Sequence, residues 1–206
     1  MSTTTFSQSD FDIFKIDGLE PRMEALVSSI RPKLEALGQE FAPTLSALVG
    51  EEIHYHVAKH ARRSVNPPAD TWVAFAPNKR GYKMHPHFQI GLWESHVFIW
   101  FAVIYEVQNK EEFGRTLQDN LSNIQSIIPS DFVWSGDHTK PDSVRMDNMS
   151  SNDLSTLFER LQTVKKAEIL CGYRIFRDEF IKLTEQQWHD TIHNVFVKTV
   201  PLYKMA

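Results

Sequence analysis

Apolar residues recur along this chain with two different periods, and each change of period marks a new element. From Leu19 onward, Met23, Leu26, Val27, Ile30, Leu34, Leu37, Phe41, Leu45 and Leu48 follow one another at spacings of one, three or four, the stripe of an amphipathic helix. Pro32 and Pro43 should kink or divide it, because each removes a backbone donor and crowds the preceding turn. Asp17 with Glu20 three residues later is a candidate N-cap pair. Between Pro86 and Trp93 the period falls to two: Phe88, Ile90 and Leu92 alternate with His87, Gln89 and Gly91, as on a strand with one covered face. The apolar run Val97 to Tyr105 follows at once and reads as a buried strand. A two-residue turn at Glu94 and Ser95 would set Leu92 opposite Val97, Ile90 opposite Ile99 and Phe88 opposite Phe101, every pair apolar and on one face. The opposite face of the hairpin then carries His87 beside Ala102 and Gln89 beside Trp100. Thr71 to Ala76 is a third strand, joined to the hairpin by the basic loop Pro77 to His85.

Downstream, Asn109 caps a helix with Phe113, Leu117, Leu121 and Ile124 on its apolar side, and Pro129 ends it. A strand is expected near Phe132 to Ser135. Asn152 begins a further helix carrying Leu154, Leu157, Phe158 and Leu161, and a β-rich run extends from Glu168 to Phe176. Thr184 with Gln187 is a capping box for a last helix bearing Trp188, Ile192, Val195 and Phe196. Helices at both ends around antiparallel strands, with the central hairpin at about 86–104, make the class α+β. No Gly-rich phosphate loop of either common kind is present. Nor does any repeat or Gly/Ser-rich linker divide the 206 residues, which are expected to form a single α+β domain, 1–206.

Composition excludes more than it selects. Apolar residues at 42% and charged residues at 23% are ordinary for a globular chain, so neither disorder nor a fibrous class is indicated. The single cysteine, Cys171, has no partner for an internal disulfide. The polar, acid-bearing stretch Met1 to Asp12 shows no secretory leader, and Val97 to Tyr105 is about half the roughly 20 residues a membrane-spanning helix needs. A cytoplasmic protein with no membrane partner is the expectation. The net charge of −4 gives no general reason for nucleic acid as partner. Its distribution is more informative: between His54 and His87 lie Lys59, Arg62, Arg63, Lys79, Arg80 and Lys83 against Asp70 alone, a local +5 that leaves −9 for the rest.

This basic segment is the leading candidate for function. Arg62, Arg63, Lys79, Arg80 and Lys83 lie in or beside loops containing Asn66, Asn78 and Gly81, where arginines can grip phosphate or carboxylate in bidentate fashion. Trp72, Tyr82 and Trp93 could stack on bases, or serve as core and rim residues. With His87 and Gln89 on the non-core face of the hairpin, the set suits an anionic ligand: a nucleotide, another phosphate-containing small molecule, or nucleic acid. A hydrolase-like or metal-dependent enzyme using His56, His60 and His87 is the alternative. His56 and His60 are spaced i, i+4, which would aim both imidazoles at one metal ion if the stretch were helical, with His54 or Glu52 as a third ligand. A strand there would separate them, and no glutamate follows His56 as the zinc-protease signature requires. Asp137 and His138 would point to opposite faces of a strand, an objection a turn would remove. Cys171, inside Ile169 to Tyr173, reads as core.

The stretches His56-Val-Ala-Lys-His60-Ala-Arg-Arg63, Asn66-Pro-Pro68, Asp70-Thr-Trp-Val-Ala-Phe75, Asn78-Lys-Arg-Gly-Tyr-Lys83 and Pro86-His-Phe-Gln-Ile-Gly-Leu-Trp93 resemble the YktB-like family of Gram-positive bacteria. Trp134-Ser-Gly-Asp-His138, Phe158-Glu-Arg-Leu161 and Val164-Lys-Lys-Ala-Glu168 extend the resemblance over nearly the whole chain. It implies a cytosolic, single-domain α+β protein of an uncharacterised family. It brings no established activity, cofactor or catalytic residue to transfer. His56, His60 and His87 lie within the family's pattern, whereas His54 and His85 lie outside it. Neither a cofactor nor an oligomeric state is specified.

Overall fold

The computed structural model describes residues 3–206; Met1 and Ser2, the first residues of the stretch read above for a leader, lie outside them. Seven antiparallel strands form one sheet: β1 His54–Val57, β2 Asp70–Ala76, β3 His87–Trp93, β4 His96–Val103, β5 Val133–Ser135, β6 Val144–Arg145 and β7 Ile169–Phe176, in the spatial order β1-β2-β3-β4-β7-β5-β6. The β3–β4 register is the expected one, with Leu92 opposite Val97, Ile90 opposite Ile99 and Phe88 opposite Phe101. Val73 and Phe75 on β2, and Cys171 and Tyr173 on β7, continue that face outward. Cys171 is buried in the core, as expected of a thiol in an apolar run.

The helices are α1 Gln8–Asp12, α2 Leu19–Ala25, α3 Arg31–Val49, α4 Lys110–Asp119, α5 Leu121–Ile127, α6 Ser151–Thr163, α7 Arg177–Phe180 and α8 Glu185–Tyr203. They lean on the Phe88 face. Phe196 of α8 sits edge-on to Phe75 and Phe88, Phe113 of α4 meets Phe101, Phe158 of α6 meets Trp134, and Gly38 of α3 lets the Tyr55 ring lie against the helix backbone. Rings packed edge-on at these separations combine large buried area with favourable quadrupole geometry. Trp188, fully buried, donates its Nε1–H to the Thr4 carbonyl at 3.1 Å and so ties the N-terminal segment to α8.

Three local details differ from the sequence expectation. The long N-terminal helix is divided upstream of Pro32 rather than at it. Leu26–Ile30 widens into a π turn between α2 and α3, which accommodates the missing Pro32 donor, and Pro43 is carried inside α3. Its start is not capped by Asp17: Gly18 occupies the cap with φ 88°, a conformation that side-chain-bearing residues avoid. The helix after Asn109 breaks at Asn120 into α4 and α5. The Thr184–Gln187 box forms as expected, with reciprocal bonds of 3.2 and 2.9 Å.

Candidate functional site

Because side chains alternate along a strand, the register that sends Phe88, Ile90 and Leu92 to the helices sends His56 of β1, Trp72 and Ala74 of β2, His87, Gln89 and Gly91 of β3, Phe98 and Trp100 of β4 and Gly172 of β7 to the other face. Loops rather than α3, α6 or α8 meet this face. It is nonetheless closed from solvent: His87 is 0% exposed and Gln89 4%. The 77–86 loop lays Tyr82 over the middle, its ring 4.9 Å from His87 and its hydroxyl accepting the Trp72 Nε1–H at 3.1 Å. The 58–69 loop brings His60, at φ 51°, edge-on to Trp72 at 5.6 Å and within 3.2 Å of the Thr71 hydroxyl. Gly91 makes the inner surface possible. A Cβ there would stand 2.5 Å from Phe98 Cζ and 2.6 Å from Trp72 Cβ, so only glycine lets those two rings close across β3.

Burial fixes the protonation of the roofed groups. It pulls His87 down to about 4, outweighing the His85 carbonyl bond. The neutral ring therefore carries its proton on Nδ1, donates it to the His85 carbonyl at 2.8 Å, and accepts the Gln89 amide at Nε2, also at 2.8 Å. Burial likewise takes His60 to about 4, with Arg63 and Arg31 adding to the effect, and pushes the Tyr82 phenol up to about 12. Asp70, at the head of β2 on the same face, is 7% exposed and has no side-chain hydrogen-bond partner among the described residues. Burial raises it to about 6, although Arg63, His138 and the hydrogen bond from its own backbone N–H pull the other way.

The 136–143 loop adds an ion pair. His138 Nδ1 lies 2.7 Å from Glu168, whose carboxylate also accepts the backbone N–H groups of His138 at 2.9 Å and Tyr105 at 3.2 Å. For both partners burial is the largest single influence and opposes charge. Their mutual bond overcomes it, so His138 titrates above and Glu168 below its ordinary value. Asp137, His138 and Glu168 each offer one ligand atom within 4.8 Å of the others. Within this group Asp137 Oδ1 accepts both the Thr139 N–H and hydroxyl, and Glu168 holds His138 through Nδ1.

Of the residues singled out from sequence, the structure brings Arg63, Trp72, Tyr82, His87 and Gln89 to this one face. Arg63 approaches Asp70 and His60 and donates to the Asn66 carbonyl at 3.4 Å, while Arg62 lies near enough to Tyr105 to act on its phenol. Asn78 holds the other loop: its Oδ1 accepts the Arg80 N–H at 2.8 Å and its carbonyl bonds the His56 ring at 2.8 Å. Arg80 is exposed at that loop's tip. Lys83 reaches Glu106 at 3.5 Å, and Lys79 turns to a separate cleft of about 620 Å³ with Glu52, His54 and Tyr55. Trp93 is nearly buried at the end of β3. His56 stands on a strand and His60 on a turn, so the helical spacing that would have aimed both at one metal is not realised. Asp70 and the His138–Glu168 pair escaped the sequence reading. A signal existed for the pair, since His138 and Glu168 close two of the segments that carry the family resemblance.

Fold and site together define an α+β protein with helices packed on one side of an antiparallel sheet and a loop-roofed, aromatic and polar face on the other. The chain belongs to the family described as domain of unknown function DUF1054, whose model matches residues 6–203. It is 56% identical to a UPF0637 protein of Bacillus velezensis and 55% identical to one of Bacillus licheniformis, in each case over all 206 residues and 98% of the relative. A UPF0637 protein of Bacillus cytotoxicus is 51% identical over 99% of its length. Among the described residues no helix is long and apolar enough to cross a membrane.

Proposed function

We propose that the loop-roofed face binds a phosphate-bearing aromatic ligand, foremost a nucleotide, with its ring against Trp72 and Tyr82, its donor groups toward Asp70 and its phosphate toward Arg62 and Arg63. The observation that carries this reading is Asp70. A carboxylate only 7% exposed, held by its own backbone N–H but by no other of the described residues, is destabilising, and a ligand N–H would supply a donor that its neighbours do not. Trp72 and Tyr82 offer flat apolar surface beside it, and Arg63 offers a bidentate grip within range of Asp70. Lys79 turns to another cleft, Arg80 is exposed at its loop tip and Lys83 is paired with Glu106, so these three contribute long-range attraction rather than contact.

The test is a thermal-shift titration with the four common nucleoside monophosphates and a short single-stranded RNA at low and high salt. A monophosphate at about 100 times its dissociation constant adds roughly 2.7 kcal/mol. The shift should shrink as salt rises and vanish in Arg63→Glu. No shift with any monophosphate, or one that survives charge reversal at both Arg62 and Arg63, would overturn the reading, and a shift with RNA alone would transfer it to a polymer.

His138 favours a second reading. Its Nδ1 is held by Glu168 and its Nε2 has no partner among the described residues, the arrangement of an oriented general base. His87 has both ring nitrogens engaged and His56 is bonded through Nε2, which makes them weaker candidates for the same chemistry. Hydrolysis of a bound nucleotide is the outcome this reading requires: water gives a proton to His138 Nε2 and attacks phosphorus, the ester oxygen leaves with the nucleoside, and the release of inorganic phosphate is lost in His138→Gln.

A further inference from the structure

On the helix side of the sheet, away from the roofed face, a cleft of about 330 Å³ opens between β5, β6 and α6. Trp134, Val144, Met149 and Leu157 form its apolar walls, and Ser143 completes them. Three buried side-chain atoms of the described residues lack any hydrogen-bond partner, and two of them, Trp134 Nε1 and Ser143 Oγ, belong to residues lining this cleft. Trp134 is 2% exposed, so water does not satisfy its indole from outside. Native interiors rarely leave such donors idle, and those left idle call for an explanation.

We infer that this cleft is a second binding site, for a compact neutral molecule with an apolar body and one carbonyl acceptor, a ketone or an amide. An indole N–H can only donate, and the Ser143 hydroxyl beside it in the lining can also donate, so the pair selects an acceptor-bearing ligand. The apolar walls and small volume select a body of a few carbons or one ring. Charge at the mouth selects neutrality: Asp137 and Asp142 face Lys140, which is itself 3.4 Å from Asp137, so a carboxylate ligand meets an unbalanced acid. The loop that forms this mouth also carries His138 to Glu168, so the two sites share a wall but no donor.

The experiment is a titration of the full chain, labelled with nitrogen-15, with N,N-dimethylbenzamide as the neutral amide, ethylbenzene as a control of similar body without an acceptor, and benzoate as its anionic counterpart. The indole cross-peak of Trp134, identified by its loss in Trp134→Phe or, should that variant not fold, by backbone assignment, should shift saturably downfield with the amide at millimolar concentration. Benzoate should bind more weakly, and ethylbenzene should leave the indole proton unshifted. Ser143→Ala should weaken the amide about fivefold, the effect of one hydrogen bond, and Leu157→Phe should block it while the remaining spectrum stays folded. An unmoved indole peak at saturating amide, equal response to amide and ethylbenzene, or undiminished binding in Ser143→Ala would each overturn the inference.

Discussion

Asp70→Asn should make this protein more stable at neutral pH and no more stable in acid. The carboxyl lies at the head of β2, 7% exposed, with burial raising it from 3.8 to about 6. Below pH 4 it is protonated whether the chain is folded or not, and contributes no pH dependence. Between pH 4 and 6 the folded chain keeps a proton that the unfolded chain has released, so rising pH costs stability; above 6 the penalty is complete. A difference from 3.8 to about 6 corresponds to about 3 kcal/mol at 1.36 kcal/mol per pH unit. Arg63 and His138 already moderate that figure, and local relaxation should reduce the observed gain to about 1–3 kcal/mol. Asparagine reproduces the neutral carboxyl in shape without the charge. For a chain of this size the gain translates to a rise of about 2–12 °C in melting temperature. Calorimetry of both proteins at pH 7.5 and 3.5 measures it: the difference should be positive at 7.5 and close to zero at 3.5. A variant less stable at both values would show that Asp70 makes stabilising contacts, and the reasoning that assigns it to a ligand would fall.

Other outcomes follow from the same geometry. Gly91→Ala should destabilise by about 2–4 kcal/mol in urea titration, because its Cβ would press on Phe98, the Thr71 carbonyl and Trp72; a neutral change would mean that the rings have room to part. Glu168→Gln should move the His138 midpoint from above its ordinary value to below it, since burial persists when the partner is gone, and carbon-13 titration of the ring reads this directly. The same change should flatten the acid limb of stability. Glu168 is held below its ordinary value, so its contribution is present above about pH 4.5 and disappears as pH falls through the folded midpoint. Thr184→Ala should remove about 1 kcal/mol by uncapping α8, with Thr184→Ser restoring most of it.

Where sequence and structure agree, local chemistry decides the outcome. The β3–β4 register was legible because a two-residue turn leaves one pairing in which Leu92–Val97, Ile90–Ile99 and Phe88–Phe101 are all apolar. The box at Thr184 was legible because both of its bonds span three residues. Disagreement begins where two local rules compete. Asp17 has the chemistry of a cap, but Gly18 can take the positive φ through which the chain enters α2. Pro32 has the chemistry of a kink, and a π turn absorbs it upstream.

The site was half legible for a different reason. Alternation correctly assigned His87 and Gln89 to the face opposite Phe88, but it states only which way a side chain points. What covers that face depends on segments brought from elsewhere: Tyr82 over His87, His60 over Trp72, and His138 carried by Glu168 to within range of Asp70. Asp70 therefore read as one acid diluting a basic segment, although it is the least satisfied charge on the face. The contrast between the two faces is itself an argument. On the Phe88 side, rings meet edge-on in a core built for stability. The roofed side has an unpaired carboxylate, a neutral buried imidazole and a glycine where any other residue would clash. Local rules broken together on one surface fit the binding role proposed for that face.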